Sequence, residues 1–200
     1  MTEHVYSTDF YDYIDAGSRA SADVVARLIL GEIEVKSLLD IGSGHGAWAA
    51  EWMKAGVKDV LAVDGDYVRR DQLAIPADRF VAHDLATPLD LRRQFDLVQS
   101  LEVAEHLPGD CAPGFVDNLV RHGDVILFSA AVPHQGGEHH VNEQPRRYWI
   151  ARMKALGWDY DRRTTGALEN SFLAQRDRLP WSWMYHNLCV YRPRERGFAR

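Results

Sequence analysis

The sequence of 200 residues lacks the features that mark secreted and membrane proteins. Its only two cysteines, Cys111 and Cys189, lie far apart in no metal-type spacing, which argues against a disulfide framework or a zinc knuckle. No apolar run approaches the length of a membrane span, and the first residues lack the basic start and apolar stretch of a signal peptide. We therefore expect a soluble, cytoplasmic protein without a membrane partner.

The sequence also lacks an excess of basic residues. Lysine and arginine together number 23 against 29 aspartates and glutamates, and the formal net charge is −6. Surfaces that bind nucleic acid are usually basic, so this balance argues against a nucleic-acid partner. The basic clusters are the pair Arg146-Arg147 and the stretch from Arg192 to Arg200, which is typical of a solvated tail. A small soluble molecule is the expected partner.

Short apolar runs alternate with segments of helical periodicity along the chain. The apolar runs predict seven strands, at Ser37–Ile41, Asp59–Val63, Arg79–Ala82, Phe95–Gln99, Asp124–Ser129, Trp158–Arg162 and Leu188–Tyr191. The helical spacings predict helices at Ser18–Glu32, Ala47–Lys54, Cys111–Arg121 and Arg146–Leu156, with a short one near Leu168–Gln175. Residues 1–18 are polar and aromatic, and we expect an irregular arm there.

This alternation predicts an α/β fold with a doubly wound, mostly parallel, seven-stranded sheet and helices on both faces. The chain has no internal repeat, low-complexity tract or linker, so residues 1–200 are interpreted as a single domain.

A glycine-rich turn follows the first predicted strand, in the segment Asp40-Ile41-Gly42-Ser43-Gly44-His45-Gly46. Glycines let the backbone turn sharply and let a ligand approach the main chain closely. The spacing also satisfies the dinucleotide fingerprint, so the loop alone does not identify its ligand. However, Asp40 lies where a pyrophosphate would bind, and its charge would repel phosphate but could pair with an ammonium group or orient water near it. The loop therefore favours a cationic ligand with an amino-acid end over NAD.

Two more acidic residues follow predicted strands. Asp64, followed by Gly65, ends the second strand, where a carboxylate can accept both hydroxyls of a ribose. NAD would use that carboxylate equally, so Asp64 does not distinguish between the two ligands. The pair Asp84-Leu85 follows the third strand and suits an adenine, because the carboxylate can take the exocyclic amine while the apolar side chain packs on the ring.

In this order and spacing, Asp40 with its glycine loop, Asp64, Asp84-Leu85 and the run Phe95-Asp96-Leu97-Val98 resemble the class I methyltransferases that use S-adenosylmethionine (SAM). The resemblance covers roughly residues 20–130. It implies the Rossmann-like methyltransferase fold and SAM as the cofactor. The cofactor-binding residues that it implies are Asp40, Gly42, Ser43, Gly44, Asp64, Gly65, Asp84, Leu85, Ser100 and Leu101.

A Glu-x-x-Glu-His motif follows the fourth predicted strand, at Glu102, Glu105 and His106. In a helical turn these three side chains would lie on one face, where two carboxylates and an imidazole form half of a shell for Mg²⁺ or Mn²⁺. A second source of histidine, the pair His139-His140, follows the fifth strand. Because the carboxyl ends of parallel strands share one crevice, this pair can face the motif.

The arrangement resembles the metal site of the small-RNA 2′-O-methyltransferases and the Glu-x-x-Glu-His motif of the O-methyltransferases of ubiquinone biosynthesis. That resemblance implies Glu102, Glu105, His106 and His140 as metal ligands, with His139 competing for the last place. Many methyltransferases without a metal also have Glu-His-Leu at this point, where the pair serves as helix cap, substrate contact or base. Both alternatives stay open, and without a metal His106 is the preferred base.

We therefore expect a SAM-dependent methyltransferase that acts on an oxygen, or less favourably a nitrogen, of a small metabolite such as a sugar, polyol or phenol. The implied catalytic residues are His106, Glu105 and His140. The alternatives are a metal-dependent 2′-O-methyltransferase of RNA 3′ ends, an NAD-dependent oxidoreductase and a non-catalytic SAM-binding module. In the segment 163–186 we expect at least one of Trp181, Trp183 and Tyr185 to face the substrate.

Overall fold

The computed structural model describes residues 8–178 and 186–194, and in that part the side chains of residues 8–18 and of Ala20 are not described. The predicted substrate-facing residues Trp181, Trp183 and Tyr185 lie outside the described residues. Within the described ranges, no helix has both the length and the hydrophobicity of a membrane span.

Seven strands form one sheet in the order β3-β2-β1-β4-β5-β7-β6. The strands are β1 (Ser37–Ile41), β2 (Asp59–Asp64), β3 (Phe80–Ala82), β4 (Phe95–Leu101), β5 (Gly123–Ser129), β6 (Trp158–Tyr160) and β7 (Cys189–Pro193). The first five pair in parallel, whereas β7 runs antiparallel to both β5 and β6. This arrangement confirms the predicted doubly wound, mostly parallel, seven-stranded sheet.

The described residues form five α-helices, which are α1 (Thr8–Glu32), α2 (Ala47–Lys54), α3 (Ala112–His122), α4 (Arg146–Ala155) and α5 (Arg162–Ala174). The predicted irregular arm is wrong from Thr8 onward, because α1 begins there. No proline interrupts the sequence between Thr8 and Glu32, so nothing in the backbone stops the helix from extending beyond its apolar stretch.

The sixth strand of the structure is shorter than the predicted one at the point where it meets α5. The strand β6 ends at Tyr160, and α5 starts directly after Asp161. The Asp161 carboxylate accepts the Thr164 backbone N–H at 2.9 Å, which is the typical contact of an N-cap residue. The cap turns the chain away from the sheet, so the predicted strand at Trp158–Arg162 is two residues too long.

Each face of the sheet is covered by its own apolar core. On one face α1, α2 and α5 contribute Ile29, Trp52 and Phe172. On the other face α3 and α4 contribute Phe115 and Trp149. Successive residues of a strand point to opposite faces, which is why the neighbours Leu38 and Leu39 belong to different cores. With both faces covered, the carboxyl ends of β1 to β5 are left as the edge where loops can form a site.

Candidate cofactor and acceptor site

A cavity of about 1400 Å³ opens at the carboxyl ends of the parallel strands. The loops after β1, β2 and β3 line one end, and the loops after β4 and β5, with His186 and Asn187 before β7, line the other. Pockets for a single small ligand typically measure about 300–1000 Å³. The cavity therefore has room for two molecules side by side, as a group transfer between a cofactor and an acceptor requires.

The glycine loop after β1 forms the floor of the first end, and Gly42, Ser43 and Gly44, which the sequence predicts as cofactor-binding residues, line the cavity. Gly42 has a φ of +84°, and a Cβ added to it would lie 2.3 Å from a methyl carbon of Val103. Only glycine fits there, because a side chain would meet both a strained backbone and a packed neighbour. The Gly42 N–H donates to the Val63 carbonyl at 2.8 Å, which fastens the loop to the end of β2.

Asp40 and Ser100 lie one layer behind the cavity wall. Both side chains are buried, and neither is among the lining residues. Burial raises the pKa of Asp40 to about 7, and the Asp40 Oδ2 atom has no hydrogen-bond partner among the described residues. Their predicted role in cofactor binding therefore requires an intervening water or a movement of the loop, whereas Leu101, predicted with them, lines the cavity directly.

Asp64 and Gly65, at the end of β2, lie on the cavity wall. The Asp64 carboxylate accepts the backbone N–H of Gly44 at 2.6 Å and that of Gly65 at 2.7 Å. It also accepts the hydroxyl of Tyr67, a residue that sequence reasoning missed. Burial raises the pKa of Asp64, and these hydrogen bonds oppose that shift. The Gly44 amide ties the glycine loop to the carboxylate at the end of β2, so the loop and the carboxylate belong to one rigid unit.

The pair Asp84-Leu85 lines the cavity after β3, next to His83. Leu85 is buried, while Asp84 is exposed and accepts the backbone N–H of Ala86 at 3.0 Å. An apolar wall beside a solvent-facing carboxylate is the combination expected for an adenine, with the ring packed on one and its amine directed to the other.

At the other end of the cavity, the motif of two glutamates and a histidine does not form the predicted helical face. A short 3₁₀ turn covers Ala104–His106, and Glu102 precedes it with a φ of +54°. The Glu102 carboxylate accepts the side-chain amides of Gln135 at 2.7 Å and Asn187 at 3.3 Å. The Glu102 carboxylate is therefore directed to the loop after β5 and to the chain before β7. It does not join Glu105 and His106 in the metal-ligand group that the sequence predicts.

Glu105, His106 and His140 do converge. Each of these three described residues offers one ligand atom, and the three atoms all lie within 4.8 Å of one another. The rings of His106 and His140 meet edge to face, with centroids 5.0 Å apart. The Glu105 side chain is fully buried, and both of its carboxylate oxygens lack a hydrogen-bond partner among the described residues.

Burial favours the uncharged forms of Glu105 and His106 when nothing else is bound. Burial and the neighbouring Glu102 raise the pKa of Glu105 to about 8. Burial and the neighbouring His140 lower the pKa of His106 to about 4. Near pH 7, Glu105 therefore tends to hold a proton while His106 stays neutral. A buried carboxyl without partners is costly, and a cation or a donor group of a ligand would relieve that cost.

The loop after β5 delivers His140 rather than His139 to this cluster. The backbone N–H groups of Val141 and Asn142 donate to the Glu105 carbonyl at 2.9 and 3.0 Å, which clamps the loop over the 3₁₀ turn. The Glu143 carboxylate accepts the His134 N–H at 2.7 Å and lies 2.9 Å from the His140 Nδ1 atom. His139 is exposed and outside the cluster. Sequence reasoning left this choice open, and it missed the organising role of Glu143.

Among the described residues that line the cavity, none is a lysine or an arginine. The carboxylates on the lining are Asp64, Asp66, Asp84, Glu102, Glu105 and Glu138. Pyrophosphate and other polyanions are normally bound by basic side chains or helix amides, so this lining suits a cationic cofactor and a neutral or cationic acceptor. The aromatic residues Tyr148 and Trp149 of α4 pack in the core and do not line the cavity.

Comparison with known proteins gives the family. The model of a family described as a methyltransferase domain matches residues 13–168 of the chain. A search of curated proteins by sequence found no match. A sugar N-methyltransferase, KedS8 from Streptoalloteichus sp., is similar in structure with a TM-score of 0.70 at 16% identity, over 98% of this chain and 96% of that one.

Two further solved structures share the fold. DesVI from Streptomyces venezuelae superposes with a TM-score of 0.66 at 14% identity, over 95% of this chain and 99% of that one. An O-methyltransferase family protein from Burkholderia thailandensis superposes with a TM-score of 0.62 at 15% identity, over 93% of this chain and 59% of that one. The family match shows that the chain belongs to the SAM-dependent methyltransferases, and these likenesses show that it has their class I, Rossmann-like fold.

Proposed function

We propose that this methyltransferase moves the methyl group of SAM to a hydroxyl oxygen of a small polar metabolite, of the sugar, polyol or phenol type. The observation that carries the proposal is the cluster of Glu105, His106 and His140 at the end of the cavity opposite the glycine loop. The methyl of a sulfonium is already activated. The protein's task is therefore to align the acceptor and to assist the loss of its proton.

In this proposal Glu105, His106 and His140 also hold a divalent cation, Mg²⁺ or Mn²⁺. The donor set fits, since a buried carboxylate with both oxygens unpartnered needs a cation or a donor, and His106 stays neutral near pH 7. When bound, the ion would lower the pKa of an acceptor hydroxyl and hold two neighbouring substrate oxygens. Glu143 orients His140, because a proton donated from Nδ1 leaves Nε2 as the ligand atom.

A metal-free route uses the same cluster. Here the proton of the acceptor passes to His106 or Glu105. A catalytic base works best when its pKa is close to the operating pH. Glu105, with its pKa raised to about 8, comes closer to that condition than His106, whose pKa is lowered to about 4. Only the ionised fraction of Glu105 can accept the proton, so this route should become faster as the pH rises toward 8.

An amine acceptor is the second candidate. It is favoured by the cavity lining, which has six carboxylate side chains and, among the described residues, no lysine or arginine. The ammonium group of an amino sugar would pair with the ionised carboxylate of Glu105 in place of the metal, and it would pass one proton to that carboxylate before its nitrogen could take the methyl group. The same lining weighs against an RNA 3′ end as the acceptor, since a phosphate backbone needs basic contacts, and against NAD as the cofactor.

The test is a methyl-transfer assay on matched acceptors that differ only in a hydroxyl or an amine, run with and without chelator. The proposal expects methylated hydroxyl compounds, activity that falls in chelator, and about one divalent ion bound per chain. Amine products that form equally well in chelator would replace it with the second candidate. Glu105→Gln should abolish metal binding, whereas Glu138→Gln, the same change on an exposed glutamate of the cavity, should leave it intact.

A further inference from the structure

The Asp64 carboxylate is engaged by three donors, one of which belongs to a side chain. Its Oδ2 atom accepts the Gly44 N–H at 2.6 Å. Its Oδ1 atom accepts the Gly65 N–H at 2.7 Å and also the Tyr67 hydroxyl. An ionised carboxylate offers about four acceptor positions, two on each oxygen. Oδ1 is therefore full, and one position remains on Oδ2.

A ribose that binds this carboxylate through both of its hydroxyls needs one acceptor position on each oxygen. Oδ1 can provide one only if a present donor leaves. The two N–H donors belong to the backbone of the glycine loop and of the end of β2. The hydrogen bond from the Gly42 N–H to the Val63 carbonyl holds these two segments together. The phenol of Tyr67 can leave by rotation of its side chain. Tyr67 is 58% exposed, so this rotation disrupts little buried surface.

The ring of Tyr67 is placed over this position by the absence of a side chain at Gly65. A Cβ added to Gly65 would lie 2.1 Å from the Cε1 atom of the Tyr67 ring. Both residues line the cavity. Asp64 is only 4% exposed, so its charge needs donors even before a cofactor arrives. The Tyr67 hydroxyl supplies one of them, and it opposes the rise in the pKa of Asp64 that burial causes.

We propose that Tyr67 occludes the ribose position of its own cofactor site: its hydroxyl occupies Asp64 in the unliganded protein and is displaced when SAM binds. The residue thereby stabilises the empty site at the expense of cofactor affinity. This role concerns only the cofactor. It is independent of the acceptor and of any cation at Glu105, so its test can fail or succeed without affecting the proposed function.

The test is calorimetric titration with S-adenosylhomocysteine of the wild type and of Tyr67→Phe, which keeps the ring and removes the hydroxyl. Tyr67→Phe removes a hydrogen bond to a charged group that the ribose must otherwise displace, and water recovers part of its strength, so we expect binding about three- to tenfold tighter in the variant. Tyr160→Phe is the matched control. Its hydroxyl lies 3.3 Å from an Arg146 nitrogen and outside the cavity lining, so the affinity should not change.

The competition is isolated with two smaller ligands, adenosine and 2′,3′-dideoxyadenosine. Tyr67→Phe should bind adenosine more tightly than the wild type does, and it should bind the dideoxy compound with unchanged affinity. Tyr67→Leu, which lacks the hydroxyl on a different side chain, should show the same dependence on the ribose hydroxyls. Unchanged or weaker binding of S-adenosylhomocysteine by Tyr67→Phe would overturn the proposal. An equal gain for the dideoxy ligand would overturn it as well, because the ring and not the hydroxyl would then be responsible.

Discussion

At the ends of β1 and β2, backbone N–H groups from glycines make most of the polar contacts of the cavity wall, as in the pairs that Gly44 and Gly65 form with Asp64. At the ends of β4 and β5, side-chain amides and carboxylates make them, as in the contacts of Glu102 with Gln135 and Asn187. The cofactor end is thus built largely from main-chain donors around one buried carboxylate, that of Asp64. The acceptor end concentrates buried ionisable groups that a bound partner must satisfy.

The backbone strain differs in the same way. At the cofactor end the left-handed positions are Gly42, Gly44 and Gly46, where glycine bears the conformation without cost. At the acceptor end Glu102, His134 and His139 have positive φ values although they carry side chains. Such strained conformations persist only where surrounding contacts hold them. They are common in segments that bind a ligand.

The largest expected effect is at the cofactor end, in Gly42→Ala. The new methyl group would combine left-handed strain with a clash against Val103, and each typically costs about 1–3 kcal/mol. We expect a large fall in the free energy of unfolding, measured with urea, and loss of S-adenosylhomocysteine binding. Gly31→Ala should not destabilise the protein, since a Cβ there meets nothing within 4 Å. Addition of Val103→Ala to the Gly42 variant should recover part of the loss, and failure to do so would contradict the clash.

The second effect concerns Asp64→Ala. Loss of the carboxylate removes the expected acceptor of the ribose hydroxyls and releases the Gly44 and Gly65 amides. Hydrogen bonds to charged groups are typically worth about 1.5–3 kcal/mol, so the affinity for SAM should fall at least about tenfold by calorimetry. Asp66→Ala, which removes an exposed carboxylate of the same cavity, should change it much less. Undiminished affinity in Asp64→Ala would remove Asp64 from the cofactor site.

The third effect tests the acceptor end through pH. Because burial raises the pKa of Glu105 to about 8 from an ordinary value near 4.5, the folded protein retains a proton that the unfolded chain releases in this window. The contribution of Glu105 to the stability of the metal-free wild type should therefore fall as the pH rises from 4.5 to 8, with a limiting slope of about 1.4 kcal/mol per pH unit. Glu105→Gln should remove this loss and become the more stable protein at the upper end of the window.

Urea unfolding in chelator across this pH range measures the free energy of unfolding of Glu105→Gln and of the wild type. In the difference between the two values, the contributions of the titrating groups that both proteins share cancel. Glu138→Gln, on an exposed glutamate, should keep the slope of the wild type. A difference that does not vary with pH would show that Glu105 titrates normally. Added Mg²⁺ or Mn²⁺ should stabilise the wild type above pH 7 and leave Glu105→Gln unaffected, provided that the cation binds at this cluster.

The smallest effect lies away from both ends of the cavity, at the start of α5. Asp161→Ala removes the cap of that helix and the pair of Asp161 with Arg192. We expect a loss of about 1 kcal/mol in the free energy of unfolding. The affinity for S-adenosylhomocysteine should be unchanged, because Asp161 does not line the cavity. A clear fall in affinity would show that the shape of the cavity also depends on the start of α5. The properties of the two ends of the cavity would then not be set by their own loops alone.

Much of the cofactor end is predictable from the sequence, because local features determine it. The glycine loop, Asp64 and Asp84-Leu85 each directly follow an apolar run that predicts a strand, and the strand ends bring them to one edge. The role of Tyr67 cannot be predicted in this way. Nothing in the sequence shows that its ring folds back over Gly65 and delivers its hydroxyl to the carboxylate of Asp64.

By itself the sequence determined the sheet, the place of the glycine loop and the presence of acids and histidines at neighbouring strand ends, because these follow from hydrophobic pattern and chain order. Only the tertiary structure decided which of those side chains meet. Glu102 is drawn away by amides from Gln135 and Asn187, which are distant in the chain. His140 reaches Glu105 because the next two backbone N–H groups bind the Glu105 carbonyl. Contacts between distant segments depend on loop conformations, which have no periodic signature in the sequence.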